Sequence, residues 1–313
     1  MSAIEVVTPG LLTTVQDMGR DGYGPMGVSA SGAADAIALR LGNGLVGNAE
    51  GAAGLEMTLL GGTFLFPEGG VIALTGSDFG ATLDEEPVGL WTSAEVRAGQ
   101  RLRLGPTRSG ARCYLSVQGG ITVKPFLGSA STHLLSGLGG FEGRALRKGD
   151  VLSIGDADRI FRKRRMAAHA LRRLSPRKVL RVTVGVQADW FPDASLQLFH
   201  NNIYRVREDS NRMGLRMEGP PVPSRADGEM ITEGISLGAV QVPESGQPIV
   251  SFVEQQTTGG YPVIANVISA DFSSVGQLRP RDEVRFERVE MNGARALLIE
   301  QEKLLASEDL IVE

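Results

Sequence analysis

At 313 residues, with 42% hydrophobic and 22% charged side chains, the chain is long enough for two ordinary globular cores. A formal net charge of −4 argues against a generally basic nucleic-acid surface, and a single cysteine excludes an internal disulfide or a cysteine zinc cluster. No run approaches the roughly 20 apolar residues that a membrane-spanning helix needs. The opening MSAIEVVTPG has neither the basic region nor the apolar run of a signal peptide, so a cytoplasmic protein with no membrane or nucleic-acid partner is expected. Glycine is frequent, at 41 residues, and aromatics make only 5%, a balance that favours short strands joined by tight turns.

Residues 4–7 and 11–15 read as short strands broken by the Pro9-Gly10 turn. A glycine-rich loop follows, QDMGRDGYGP over 16–25, in which Asp17 and Arg20 stand three apart and can pair. Its glycines do not form a dinucleotide-binding GxGxxG between a strand and a helix. Ala34, Ile37, Ala38, Leu41 and Leu45 recur at helical spacing, with Ser31 as the expected N-cap, Asp35 near the positive end of the helix dipole and Gly47-Asn48 as the stop. From 55 to 154 the pattern changes to short alternating runs typical of a β-barrel or sandwich, and Cys113 falls in one of them as a buried small residue. His133 has no second histidine or cysteine nearby, and no metal site is expected.

Residues 156–181 hold ten arginines or lysines against Asp156 and Asp158, which leaves −12 on the rest of the chain. No aromatic alternation accompanies them, so a solvated basic linker over 159–178 is expected between domains at 1–158 and 179–313. Beyond it, strands are expected near 180–186, 215–217, 263–268 and 283–286, a short helix over 193–199, and a terminal helix through Ala294, Leu297, Leu298 and Leu304. Asn211 and Arg212 sit in a polar loop, where a guanidinium fork could meet a carboxylate or a phosphate.

The densest polar stretch is QVPESGQPIVSFVEQQTTGGYP, over 241–262. Gln241 and Gln247 bracket its first cluster; Glu254, Gln255, Gln256, Thr257, Thr258, Gly259 and Tyr261 form its second. The strand expected between them would hold the clusters roughly 20 Å apart unless the chain folds back. Uncharged donors and acceptors beside one carboxylate suit a small amide, lactam or urea without the desolvation cost of further charges.

PGLLTTVQDMGRDGYGPMGV (9–28), SGAADAIALRLGNGLVGN (31–48), GLEMTLLGG, ALTGSD, YLSVQGGI, DSNRMGLRMEG (209–219) and QVPESGQPIV followed by QTTGGYP occur in that order. Together they resemble the biotin-dependent carboxyltransferase family, second-subunit type, over about residues 3 to 288. The resemblance implies a mainly β fold, with two β-barrel domains of cyclophilin-like type and a few short helices. It implies a component of an ATP-dependent 5-oxoprolinase, a hydrolase opening 5-oxo-L-proline to L-glutamate, with an active site shared with a partner subunit. The partners implied are a first-subunit homologue, the B-type component of 5-oxoprolinase, and a lactam-utilisation subunit. ATP would enter through the complex, because the chain has no P-loop.

In this reading Glu254 is the acid/base or water-orienting group and Asp17 a second catalytic carboxylate. Gln255, Thr257 and Thr258 bond the ligand's polar edge, Tyr261 closes the pocket and Arg212 pairs with the ligand's carboxylate. Asn211, Gln241, Gln247, Gln256, Gly259 and Arg20 complete the substrate-binding set. Two alternatives stand beside it. One is carboxyl transfer from carboxybiotin to urea or a related amide, with biotin on a separate carrier because no AMKM-like sequence occurs here. The other is a non-catalytic regulator that binds a kinase inhibitor.

Overall fold

The computed structural model describes residues 2–157, 161–225 and 230–313; Asp158 and Arg159 of the basic stretch lie outside them. The fold is mainly β with few helices. The chain divides into two compact units, one of residues 1–20, 31–174 and 307–313, the other of residues 21–30 and 175–306. The basic stretch is divided, with residues 161–174 in the first unit and residues 175–178 in the second. Its strand Arg165–Met166 pairs with Ile311–Val312, and its short helix Ala168–Arg173 also belongs to the first unit.

Besides this two-stranded pairing, the strands described in the first unit form two larger sheets. A seven-stranded sheet has the order Ile121–Thr122, Val151–Ile154, Ala3–Thr8, Thr63–Phe66, Gln100–Arg103, Thr82–Leu83, Glu86–Pro87. A five-stranded sheet has the order Leu12–Gln16, Gly54–Thr58, Arg112–Val117, Gly70–Gly76, Ser93–Val96. Ile4, Val6, Phe64, Phe66 and Leu102 from the first sheet share one core with Val15, Leu55, Ile72, Leu74, Cys113 and Leu115 from the second. Alternation along each strand sends these side chains to one face, which makes the unit a sandwich. Cys113 is inside it, as expected, and burial pushes its thiol pKa up.

The opposite face of the five-stranded sheet carries the helix Ala36–Val46, where Ala38 and Leu39 meet Tyr114. Strand Arg112–Val117 is thus covered on both sides and buried at every position. The helix lies close enough that a Cβ at Gly42 would come within 2.6 Å of the Ser116 hydroxyl. Its N-cap is Asp35 rather than the expected Ser31: the Asp35 carboxylate accepts from the Ala38 N–H at 3.0 Å. Ser31 is upstream in the left-handed region, at φ 57°, and its hydroxyl donates to the Thr132 carbonyl.

The second unit is a closed barrel in the order Val179–Val184, Val263–Val267, Ala239–Gln241, Ile249–Ser251, Gly214–Glu218, Tyr204–Val206, Glu283–Arg288. Closure comes from the parallel pairing of the first and last strands, Leu180 opposite Phe286. Leu180, Val182, Val240, Val250, Met217, Tyr204 and Val284 are all at most 1% exposed. The helix Asp193–Asn201 lays Phe199 on Phe286, with ring centroids 4.6 Å apart, and Tyr204 closes the aromatic group. The terminal helix Met291–Leu305 packs Ala294 against Ile268 and Ala270.

Strand order in this barrel also places the polar stretch. Ile249–Ser251 and Val263–Val267 both pair antiparallel with Ala239–Gln241, so they run parallel to each other. Residues 252–262 must therefore return from the Ala239 end to the Gln241 end before the next strand begins.

Phe286 sits at the barrel's closure and in its aromatic group. Phe286→Ala is expected to cost about 3–5 kcal/mol in equilibrium denaturant unfolding. A cost within about 1 kcal/mol would show that the closure does not depend on this packing.

Candidate functional site

Arg212, just before strand Gly214–Glu218, and Glu254, just after Ile249–Ser251, meet because Gly214 is opposite Ser251 in the ladder. The Arg212 guanidinium donates to the Glu254 carboxylate, and the Glu254 N–H donates to the Arg212 carbonyl at 2.8 Å. Their side chains are 5% and 2% exposed. Arg212, expected to pair with a ligand's carboxylate, thus pairs with Glu254 in this structure. Asn211 beside it is exposed and uses its carboxamide oxygen to accept from the Met213 N–H at 2.8 Å, an Asx turn that sets up the strand.

From Glu254 the chain crosses back. Thr258–Gly259 forms a two-residue ladder with Glu233–Gly234, the Ile235 N–H donates to the Thr257 carbonyl, and the Gln255 carboxamide donates to the Ile235 carbonyl at 3.1 Å. Gln256, Thr258 and Tyr261 are exposed, and Thr257 half-buried. At the far end the buried Gln241 carboxamide donates to the Tyr261 carbonyl at 3.4 Å, and the Val242 N–H donates to the Pro262 carbonyl at 3.0 Å. A Cβ at Gly259 would lie 2.2 Å from the tip of the Ile235 side chain and 2.8 Å from the Gln241 nitrogen, so either side chain would have to give way. The fold-back thus joins Gln241 to Gly259 and Tyr261 at one end, while Glu254 and Arg212 hold the other. Gln247 is engaged elsewhere, its carboxamide bonded in both directions to the Gly219 backbone at 3.0 Å.

Two residues of this region carried no motif. Gln187, 7% exposed, accepts from the Val263 N–H at 3.0 Å and donates to the Glu233 carboxylate at 2.9 Å. It ties the loop's exit and its ladder partner to the end of strand Val179–Val184. A single glutamine after an alternating strand is too common a pattern to flag. Glu233 is a lone carboxylate in MITEGIS, and its importance comes only from the ladder.

Asp17 and Arg20 belong to the first unit. The Asp17 carboxylate accepts from the Ser129 hydroxyl at 2.6 Å, the Ser131 hydroxyl at 2.5 Å, the Ala130 N–H at 2.6 Å and the Gly19 N–H at 2.8 Å. Arg20 donates to the carbonyls of Ser131 and Phe126, and its guanidinium lies 5.5 Å from the Phe126 ring centre. Both brace the loop at residues 126–132. A further polar group, missed in the sequence, surrounds the helix N-terminus. Glu56, opposite Tyr114 in the ladder, accepts from the Tyr114 hydroxyl at 2.7 Å and from the Ala34 N–H at 2.8 Å, and lies 3.4 Å from Arg112. The Tyr114 hydroxyl also accepts from the Asp35 N–H at 2.7 Å. Burial, then the negative charges of Glu56 and Asp35, hold the Tyr114 phenol well above its usual range. The visible signal was one carboxylate in GLEMT and one arginine in ARCYLSV, each inside an otherwise apolar strand.

Residues 26–288 match the family model for the carboxyltransferase domain, subdomains A and B. The chain is 40% identical over 291 residues to the C component of Escherichia coli 5-oxoprolinase, an alignment covering 93% of each chain. The C component of the Haemophilus influenzae 5-oxoprolinase is 38% identical over 91% of this chain and 90% of its own. Urea amidolyase of Saccharomyces cerevisiae is 34% identical over 98% of this chain, but only 18% of that protein. Among solved structures, the K. lactis urea amidolyase superposes with a TM-score of 0.90 at 32% identity, over 99% of this chain and 21% of that one.

The buried Arg212–Glu254 pair gives a test of the site's frame. Arg212→Ala and Glu254→Ala should each cost about 3–5 kcal/mol, because each leaves an uncompensated buried charge. The double variant should cost clearly less than the sum. Strictly additive costs in denaturant unfolding would contradict the pairing.

Proposed function

The chain belongs to the carboxyltransferase domain family, subdomains A and B, and from that premise we propose that it is one component of a 5-oxoprolinase-type complex. In this reading the complex opens the ring amide of 5-oxo-L-proline to give L-glutamate. The observation that carries it is 40% identity, spread over 93% of both chains, to a protein named as the C component of 5-oxoprolinase. The crossing loop supports it chemically. Gln255, Gln256, Thr257 and Thr258 offer neutral donors and acceptors, the complement of a lactam's N–H and C=O. Glu254, at the root of the same loop, is the carboxylate that would orient water or handle a proton, with Arg212 fixing its position.

ATP would be handled by a partner subunit. Arg20, the cation of the glycine-rich segment, has its guanidinium committed to the Ser131 and Phe126 carbonyls, and that loop does not fit a phosphate cradle. The likeness to urea amidolyase, at a TM-score of 0.90, favours a second reading: carboxyl transfer to urea or a related amide, with biotin on a separate carrier.

The complex isolated with this chain should convert 5-oxo-L-proline to glutamate with stoichiometric loss of ATP. Carboxylation of urea by that complex, without 5-oxoproline turnover, would replace the first reading by the second. Within an active complex Glu254→Gln should lower kcat by about 10²–10⁴-fold. Near-normal turnover in that variant would remove Glu254 from the chemistry.

A further inference from the structure

The Gln255 carboxamide is only half engaged. Its nitrogen donates one proton to the Ile235 carbonyl at 3.1 Å. Its oxygen is buried and has no hydrogen-bond partner among the described residues. A carboxamide carries two N–H donors and one C=O acceptor. Once one N–H is committed to Ile235, the carbonyl oxygen and the second N–H are left for another partner. With the N–H that points away from the oxygen donated to Ile235, the other N–H and the oxygen form a donor and an acceptor side by side on one edge of a planar group.

We propose that this edge of Gln255 recognises a cis amide. A cis amide presents its own N–H and C=O side by side, so it closes a ring of two hydrogen bonds with a carboxamide. Lactams, ureas and primary amides have that edge. A secondary amide in the ordinary trans form points its N–H and C=O in opposite directions and can make only one of the two bonds. The hydrogen bond to Ile235 acts as a jig, because it fixes the plane of the carboxamide before any ligand arrives. The inference rests on the lactam reading above only for the identity of the ring; the edge itself would take a urea equally well.

The loop that carries this edge is lightly held. Gln256, Thr258, Gly260 and Tyr261 of the same loop are exposed, as are Ile231, Thr232 and Glu233 across the ladder. The loop is held by the two-residue ladder, the Ile235–Thr257 backbone bond, the 3.4 Å bond from Gln241 to Tyr261, and the grip of Gln187 on Glu233. A buried acceptor left unmet disfavours the closed loop, and a ligand that meets it favours reclosure around itself. Lifting residues 256–261, while the bond to Ile235 keeps the Gln255 carboxamide in place, therefore exchanges an unsatisfied oxygen for a bonded one.

The test is calorimetric titration of the complex that co-purifies with this chain, using 5-oxo-L-proline, its N-methyl derivative, the corresponding ring lactone and urea. The lactam should lose about 10- to 100-fold in affinity when its N–H is methylated or replaced by the ester oxygen. Gln255→Ala, and Gln255→Met as a variant of similar size, should bind the lactam that much more weakly and no longer distinguish the three rings. A variant that weakens all three alike and keeps their ratio contradicts the proposal. Lactam binding with discrimination unchanged in both variants overturns the edge and leaves the lactam reading standing. Urea binding without lactam binding, lost on Gln255→Ala, supports the edge and overturns the lactam reading. Binding of none of the four overturns both.

Discussion

Two strands that flank the same antiparallel neighbour have no choice of direction: they run parallel, and the chain between them must travel back the length of the barrel. Ile249–Ser251 and Val263–Val267 stand in that relation to Ala239–Gln241. Everything distinctive about the polar site follows from this return. It carries the segment Gln255–Tyr261 from the Arg212–Glu254 end to the Gln241 end, and so joins Gln241 of the first polar cluster to Gly259 and Tyr261 of the second. The anchors at its ends differ in kind. The root is a buried ion pair reinforced by a backbone bond, and the exit is a set of backbone and carboxamide bonds around Gln241, Pro262 and Gln187. Between them a two-residue ladder, the Ile235–Thr257 backbone bond and the Gln255–Ile235 bond hold the loop. A connection fixed at both ends and lightly tied in the middle is suited to open locally while the barrel stays closed.

Buried polar groups in both units include some that are met and some that are not: the carboxamide oxygens of Gln16 and Gln118 in the first unit, like that of Gln255 in the second, lack a hydrogen-bond partner among the described residues. In the first unit, Asp17 and Glu56 each collect several donors from hydroxyls and backbone amides, which braces a loop and a helix start. Such networks are costly to break and rigidify what they touch. In the second, the carboxamide of Gln255 is left half-satisfied beside exposed threonine and glutamine side chains. Native structures leave few buried polar atoms unmet, and those that remain ask for a reason. A loop that exchanges that atom's isolation for a ligand supplies one.

Much of this could be read from residue order, and the rest could not, for identifiable reasons. Strand positions such as residues 180–186 and 283–286 followed from alternation, and the barrel strands Val179–Val184 and Glu283–Arg288 are there. Cys113 followed from its apolar neighbours. The helix start was misplaced to Ser31 from its true cap at Asp35, because both residue types cap well and only the geometry of the Ala38 N–H chooses between them. Arg212 was legible as a fork in a polar loop, but its partner was not, since the pairing with Glu254 depends on the register of Gly214 with Ser251. Gln187 was invisible for a related reason: its role arises from a strand end meeting a loop many residues away. The fold-back of Gln255–Tyr261 was legible only as a condition, because strand order in the barrel is a long-range property that local pattern does not encode.

If the crossing loop is where this protein meets its ligand, hydrogen–deuterium exchange on the isolated complex, with and without saturating 5-oxo-L-proline, reads it directly. Ligand should slow exchange at the amides of residues 255–261 and their ladder partners at 233–235, while the rest of the barrel is unchanged. Ligand-dependent protection confined to other segments, with this loop exchanging as fast as before, would contradict that role.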